Sequence, residues 1–275
     1  SYCMFKYANI KKDYRMTVHF IGAGPGDPEL LTIKGQNLIL KCPVCMYAGS
    51  LIPKAVLNHC PENAKIINTA QLDLDSIVGK IIEATSCGKD IARLHSGDLS
   101  VWSAMGEQIR RIKKEGIKFT ITPGVPSFAA AAAALEMELT LPNLSQSVVL
   151  TRLSGRASTV PENEKIENFA KTGSLLALHL SIHRLEENIS KLTPFYGREC
   201  PLAIVWRASW PDQKIILGTL DSIKTDEIAK LDRTAIVFVG KTIGATGFSE
   251  SSLYSKTYDR RFRPVGVNPR FPIKG

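Results

Sequence analysis

Val18-His19-Phe20-Ile21-Gly22-Ala23-Gly24-Pro25-Gly26-Asp27-Pro28 decides the reading of the fold, because a short apolar run feeds a glycine-rich loop that opens straight into a helix. Strand, glycine loop and helix in that order form the opening unit of a parallel α/β sheet and place a small-molecule site near its start. The loop is not a dinucleotide fingerprint. G-x-G-x-x-G needs glycine at 27, where Asp27 stands, and an acid closing the second strand, where Tyr47-Ala48-Gly49-Ser50 offers none. Both points count against a nicotinamide dehydrogenase. What the loop does offer is backbone open to close approach by a ligand, Asp27 as an N-cap and Pro28 as a first helical residue.

Outward from this unit, short β-branched runs alternate with longer helical patterns. Strands are expected at 17–21, 44–47, 65–68, 90–95 and 118–122, with helices at 28–41, 73–87, 103–116 and, rich in alanine, 126–136. Thr140-Leu141-Pro142-Asn143-Leu144 breaks the pattern like a linker. A second set follows, with strands at 147–152, 174–180, 201–207, 214–219 and 234–240 and helices at 162–172, 183–193 and 222–230. Ser209-Trp210-Pro211-Asp212-Gln213 reads as a hairpin turn, which makes the second sheet mixed. The expected organisation is a leader over 1–15, α/β domains over 16–138 and 139–250 with a ligand cleft between them, and a basic tail over 251–275.

Of the net charge of +9, residues 1–15 contribute +3 and residues 251–275 contribute +5, which leaves +1 for the body. A nearly neutral body argues against nucleic acid as a partner, although the arginines and aromatics between Tyr254 and Pro264 keep RNA open. No apolar run is long enough to span a membrane and the N-terminus lacks a signal-peptide core, so a cytoplasmic protein is expected. The six cysteines read as structural thiols. Cys42-Pro43-Val44-Cys45 leaves a redox or zinc role open, with His59-Cys60 able to complete a metal set, but no second CxxC follows and no metal is expected.

Binding residues gather past the carboxyl ends of strands in open α/β sheets. That rule selects Gly22–Asp27, Ser96-Gly97-Asp98-Leu99-Ser100-Val101-Trp102, Pro123-Gly124-Val125-Pro126-Ser127 and the stretch from Thr151 to Pro161. G-A-G-P-G-D, S-G-D-x-S-V-W, P-G-V-P-S-F-A-A-A-A-A-A-L and L-T-R-x-S-G-R, in this order and spacing over about residues 16–250, resemble the tetrapyrrole methylase family. The segments from Cys42 to Leu51 and from Thr151 to Arg156 are most similar to members acting on corrin precursors of cobalamin synthesis.

The resemblance implies a homodimeric two-domain enzyme that binds S-adenosylmethionine in the cleft and methylates a carbon of an anionic tetrapyrrole. Carried over by motif, the cofactor contacts are Pro25, Ser96, Gly97, Asp98, Val101, Pro126, Ser127, Leu180 and Ala208, with Asp98 accepting hydrogen bonds. Pro126 stands where the family often has threonine, so a hydroxyl is missing there. Leu99 replaces the usual proline of G-D-P and Ser103 a usual glycine, changes expected to loosen one turn, narrow the start of the next helix and weaken cofactor binding. Arg152 and Arg156 are the candidates to grip substrate carboxylates, with a surface ion pair as the alternative, which for Arg184 carries equal weight. Trp102, Phe128 and Trp210 could stack on a flat macrocycle or pack in the core. Asp27 and His95 are the candidate proton-handling groups, against a helix cap and a satisfied core histidine. An RNA methyltransferase of the same family and a non-catalytic tetrapyrrole-binding module remain as alternatives.

Overall fold

The computed structural model describes residues 16–153, 159–224, 228, 231, 234–251, 253, 255 and 258. The leader 1–15, Arg156, most of the helix expected over 222–230 and most of the tail lie outside the described residues. Among the described residues ten strands form two sheets of five. β1 (Thr17–Gly22), β2 (Val44–Tyr47), β3 (Lys65–Asn68), β4 (Ile91–His95) and β5 (Lys118–Thr122) make an all-parallel sheet in the order β3-β2-β4-β1-β5. Alternate residues of these strands enter opposite apolar layers: Val18, Phe20, Val44 and Met46 on one face, Ile21, Cys45, Ala92 and Leu94 on the other.

The second sheet holds β6 (Val148–Arg152), β7 (Leu175–His179), β8 (Pro201–Trp206), β9 (Lys214–Thr219) and β10 (Ala235–Val239) in the order β6-β7-β10-β8-β9. β6 and β7 run parallel, while β10 is antiparallel to β7 and β8, and β8 to β9. The expected mixed sheet and its hairpin are therefore present.

Helix boundaries depart from expectation where local backbone intervenes. The run expected over 28–41 divides into a 3-10 turn, Pro28–Leu30, and α1 (Ile33–Ile39), because Thr32 takes an extended conformation and caps α1 through the Gly35 N–H. A second 3-10 turn at Gly49–Leu51 and the short α2 (Lys54–Leu57) were not anticipated. α3 spans Leu74–Ser86. α4 (Met105–Lys114) begins late because Trp102 and Ala104 have positive φ, and α5 (Ser127–Ala134) stops before the left-handed Glu136. α6 (Ile166–Ala170) and α7 (Leu185–Tyr196) each follow a 3-10 turn.

α5 joins the two halves. It leaves the parallel sheet, yet Ala130 and Ala131 pack against Ala177, Ala203 and Phe238 of the second. Its alanines let the helix axis lie close to that sheet.

Candidate functional site

In the parallel sheet the connection from β1 runs towards β2 on one side and that from β4 runs towards β5 on the other. The carboxyl ends of β1 and β4 are therefore a topological switch point, where a crevice opens. The loops there are pinned to each other by backbone. Gly97 N–H donates to the Gly24 carbonyl at 2.8 Å, and Gly24 N–H donates back at 3.2 Å. A Cβ on Gly124 would lie 2.2 Å from the Gly97 oxygen, and one on Gly22 would lie 2.5 Å from the Gly124 nitrogen. These glycines serve loop-to-loop contact, the tight-turn role that a glycine loop of this kind also allows.

Asp98 belongs to the same junction. Its carboxylate accepts the Ser100 N–H at 2.8 Å, the Ser100 hydroxyl and the Gly124 N–H at 2.9 Å. Burial opposes ionisation, but the hydrogen bonds from Ser100, Gly124 and Leu99 outweigh it and hold this carboxyl below its ordinary range. Asp98 thus ties the β4 and β5 loops together. Leu99 is 4% exposed and packs with Val18, Phe20 and Ile112, while the Ser103 hydroxyl donates to the Leu99 carbonyl at 2.7 Å. The expected loosening is not seen: hydrophobic burial and this bond close the turn that proline would otherwise preset.

The β8–β9 hairpin clamps the glycine loop from the opposite side. Trp210 donates its indole N–H to the Pro25 carbonyl at 2.8 Å, and the Ser209 hydroxyl accepts the Asp27 N–H at 3.0 Å. The indole fills the space over Gly26, where a Cβ would come within 2.2 Å of it. Arg207 stacks on Trp210 with its guanidinium carbon 3.8 Å from the ring centre, and its Nε donates to Asp212 at 2.7 Å. Arg207 and Ser209 have positive φ, as do Leu180 and Trp102. Left-handed backbone at non-glycine residues is strained, and four such positions ring this crevice.

A cavity of about 130 Å³ lies between the sheets, lined by Pro25, Leu51, Ser96 and Ser127 on one side and by His179, Leu180, Arg207, Ala208, Trp210 and the start of β10 on the other. A second, of about 570 Å³, adjoins it across Arg207 and Trp210 and is bounded by Asp27, Pro53, Ala55 and Asp212. Pro25, Ser96, Ser127, Leu180 and Ala208 thus meet at the first cavity as expected. Gly97, Asp98, Val101 and Pro126 do not line it; Gly97 and Asp98 build the loops behind it, and Pro126 caps α5.

Asp27 caps the Pro28 turn through the Glu29 N–H at 2.8 Å and borders the second cavity. His95 is 4% exposed, its Nε2 has no hydrogen-bond partner among the described residues, and burial, followed by the charge of Arg93, lowers its pKa to about 3. It is a neutral interior group and not an accessible base.

Trp102 is exposed and packs tilted against His179, 4.7 Å between ring centres and 44° between ring planes, with Phe128 edge-on to the same imidazole at 6.4 Å. Sequence reasoning passed over His179, which ends β7 opposite Arg152 in register and lines the first cavity. Its Nδ1 lies 3.1 Å from the Ala177 carbonyl. A carbonyl only accepts, so Nδ1 holds the proton and Nε2 is the acceptor. Burial lowers the His179 pKa to about 4. The position was legible in principle, as a strand-end histidine past the carboxyl edge. Arg152 ends β6 with Nη1 on the Leu153 carbonyl at 3.2 Å, outside the residues lining either cavity. Arg184 is held by both oxygens of Glu187 at 2.6 Å.

Two adjoining cavities that share Arg207 and Trp210, beside the switch point of a parallel sheet faced by a mixed one, are an arrangement suited to an α/β enzyme that brings two small molecules together. The model of the tetrapyrrole (corrin/porphyrin) methylases matches residues 17–224, and the chain belongs to that family. It is a methyltransferase. The precorrin-4 C(11)-methyltransferase of Sinorhizobium sp is 55% identical over 252 residues, which cover 91% of this chain and 100% of that one. The cobalt-precorrin-4 C(11)-methyltransferase of Methanocaldococcus jannaschii is 40% identical, over 91% and 97%. The X-ray structure of a cobalamin biosynthetic enzyme, cobalt precorrin-4 methyltransferase, superposes with a TM-score of 0.79 at 34% identity, covering 87% of this chain and 100% of that chain.

Proposed function

We propose that this protein transfers the methyl group of S-adenosylmethionine to C11 of precorrin-4 in cobalamin biosynthesis. The observation that carries the reading is the 55% identity to a precorrin-4 C(11)-methyltransferase along that enzyme's whole length. The first cavity is the donor site in this reading. Its chemistry fits the group: apolar walls at Leu180, Ala208 and Ile236 suit an adenine, and the Ser96 and Ser127 hydroxyls suit a ribose and an amino acid. His179 is held uncharged, and Arg207 is paired with Asp212, so among the described residues lining the cavity neither of these groups opposes a sulfonium.

S-adenosylmethionine supplies an already activated methyl group when bound. The chain therefore needs to orient, desolvate and face the two ligands more than to supply a strong base. Trp210 and Ser209 hold the Pro25–Asp27 loop at a fixed height over the cavity. Trp102 and Phe128 pack against the His179 ring and hold it at the wall of the first cavity. Arg152 and Arg156 stay assigned to peripheral carboxylates of the anionic tetrapyrrole. Domains over 16–138 and 139–250, a homodimer and a cytoplasmic site of action belong to the same reading; among the described residues no helix is long and apolar enough to cross a membrane. The test is turnover with S-adenosylmethionine and precorrin-4 against the other precorrins, followed by product mass. One added methyl on precorrin-4 alone supports the reading, and methylation of RNA or of no tetrapyrrole ends it.

A further inference from the structure

Arg93, in the middle of β4, carries a charge into the interior of the parallel sheet. It is 3% exposed, and among the described residues no carboxylate pairs with it. Burial lowers its pKa to about 10, so it stays charged at neutral pH. A guanidinium taken out of water without a counterion is costly unless good acceptors meet its N–H groups. Those acceptors run in two directions. Nε donates to Gln108 Oε1 at 3.0 Å, and Nη1 donates to the Thr69 hydroxyl at 3.0 Å, which in turn donates to the Tyr47 carbonyl at 3.0 Å. Because a guanidinium only donates, it takes the oxygen of Gln108 and leaves the amide nitrogen for the Ala104 carbonyl, 3.1 Å away. Gln108 is likewise 3% exposed. One continuous hydrogen-bonded line therefore joins the end of β2 to the start of α4.

Both ends of the line belong to the cleft. The chain beyond Tyr47 reaches Leu51 in the wall of the first cavity. At the other end, the turn with φ of 48° at Trp102 and 53° at Ala104 presents the Trp102 ring to His179 in the same wall. L-residues seldom adopt that backbone, so contacts must hold it. Ala104 offers α4 no side-chain cap, and the Ser103 hydroxyl, committed to the Leu99 carbonyl at 2.7 Å, reaches the Met105 N–H only at 3.4 Å. Among the described residues Gln108 is the side chain that ties Ala104.

We propose that Arg93 and Gln108 are positioning residues of the donor site: the buried guanidinium orients the Gln108 amide, which holds the Trp102–Ala104 turn in its left-handed form and so keeps the Trp102 ring against His179 at the cavity wall. Stability alone would be served as well by apolar side chains of similar length, so the buried charge acts on geometry. That the cavity is the donor site rests on the proposed function; the tie between Arg93, Gln108 and the turn does not.

The experiment compares the wild type with Gln108→Glu and with the double variant Arg93→Met, Gln108→Met by melting temperature, S-adenosylhomocysteine calorimetry, NMR titration of His179 and steady-state methyl transfer. A glutamate at 108 gives Arg93 a counterion but turns an acceptor towards the Ala104 carbonyl, so the fold is kept while the tie is broken; the double variant removes charge and amide together. Both are expected to melt at or above the wild-type temperature, with the S-adenosylhomocysteine dissociation constant raised about tenfold, kcat lowered and the KM for precorrin-4 unchanged. The His179 titration, near 4 in the wild type, is expected to move up by about one pH unit as the ring loses its cover, and Trp102→Ala is expected to move it likewise. Gln108→Glu with a wild-type dissociation constant and a wild-type His179 titration overturns the proposal, as does a loss of affinity that only accompanies a lowered melting temperature. Wild-type protein that does not bind S-adenosylhomocysteine refutes the donor-site reading, and the His179 titration of the variants then decides the tie on its own.

Discussion

Gly22, Gly97 and Gly124 meet backbone to backbone, so the cost of a methyl group depends on where it points. In Gly124→Ala the new Cβ meets the Gly97 carbonyl, which has no side chain to move aside. A loss of about 3 kcal/mol or more is expected in chemical unfolding, with cofactor binding abolished. Gly106, early in α4 with nothing near its Cβ direction, is the control: Gly106→Ala is expected to be neutral or to stabilise by about 0.5–1 kcal/mol. Equal effects of the two would refute the close-packing account. His95 and His179 give a pH signature. Both are charged in the unfolded chain below pH 6.5 but stay neutral in the folded protein down to about 3 and about 4. The unfolded chain binds more protons in that window, so stability falls as the pH falls. At about pH 5.5 the loss is about 1.2 kcal/mol per histidine relative to neutral pH. Urea midpoints measured at the two pH values check this, and His179→Gln is expected to remove about half of the difference.

The β8–β9 hairpin links local sequence to the working geometry of the cleft. Its turn was legible from Ser209-Trp210-Pro211-Asp212-Gln213, but nothing local says that Trp210 reaches across to Pro25 and occupies the space over Gly26. Trp210→Phe keeps a ring and removes the indole N–H. The loop then loses a bond worth about 1 kcal/mol, and the dissociation constant of S-adenosylhomocysteine is expected to rise five- to tenfold by calorimetry, with a small change in melting temperature. An unchanged constant would mean that the hairpin does not set the donor site. The late start of α4 was hidden for a related reason. Trp102 and Ala104 adopt left-handed backbone that L-residues rarely choose, and only the surrounding contacts hold them there. Asp98 illustrates the converse: its motif was plain, but a carboxylate after a glycine reads equally as a ligand for substrate or as a tie for the Gly124 N–H.

The strands of both sheets were legible nearly to the residue, since β-branched runs bounded by glycine, proline and aspartate carry their own punctuation. The order in which they pair was not, because register depends on contacts far apart in sequence, and the same holds for the packing of α5 across both sheets. Edge strand β9 turns Ile215 and Leu217 outward, with Leu217 65% exposed. An apolar edge of this kind suits a covering partner. Sedimentation is expected to give a dimer that Leu217→Lys weakens, and a monomeric wild type would remove the homodimer from the account. The adjoining cavities, the neutral histidines and the family all converge on transfer of a methyl group between two ligands held in one cleft. The most direct test supplies the protein with precorrin-4 and carbon-13 methyl-labelled S-adenosylmethionine and reads the product by NMR. A single labelled methyl attached at C11 is the predicted result; a label on another ring carbon, or none on the macrocycle, would contradict the account.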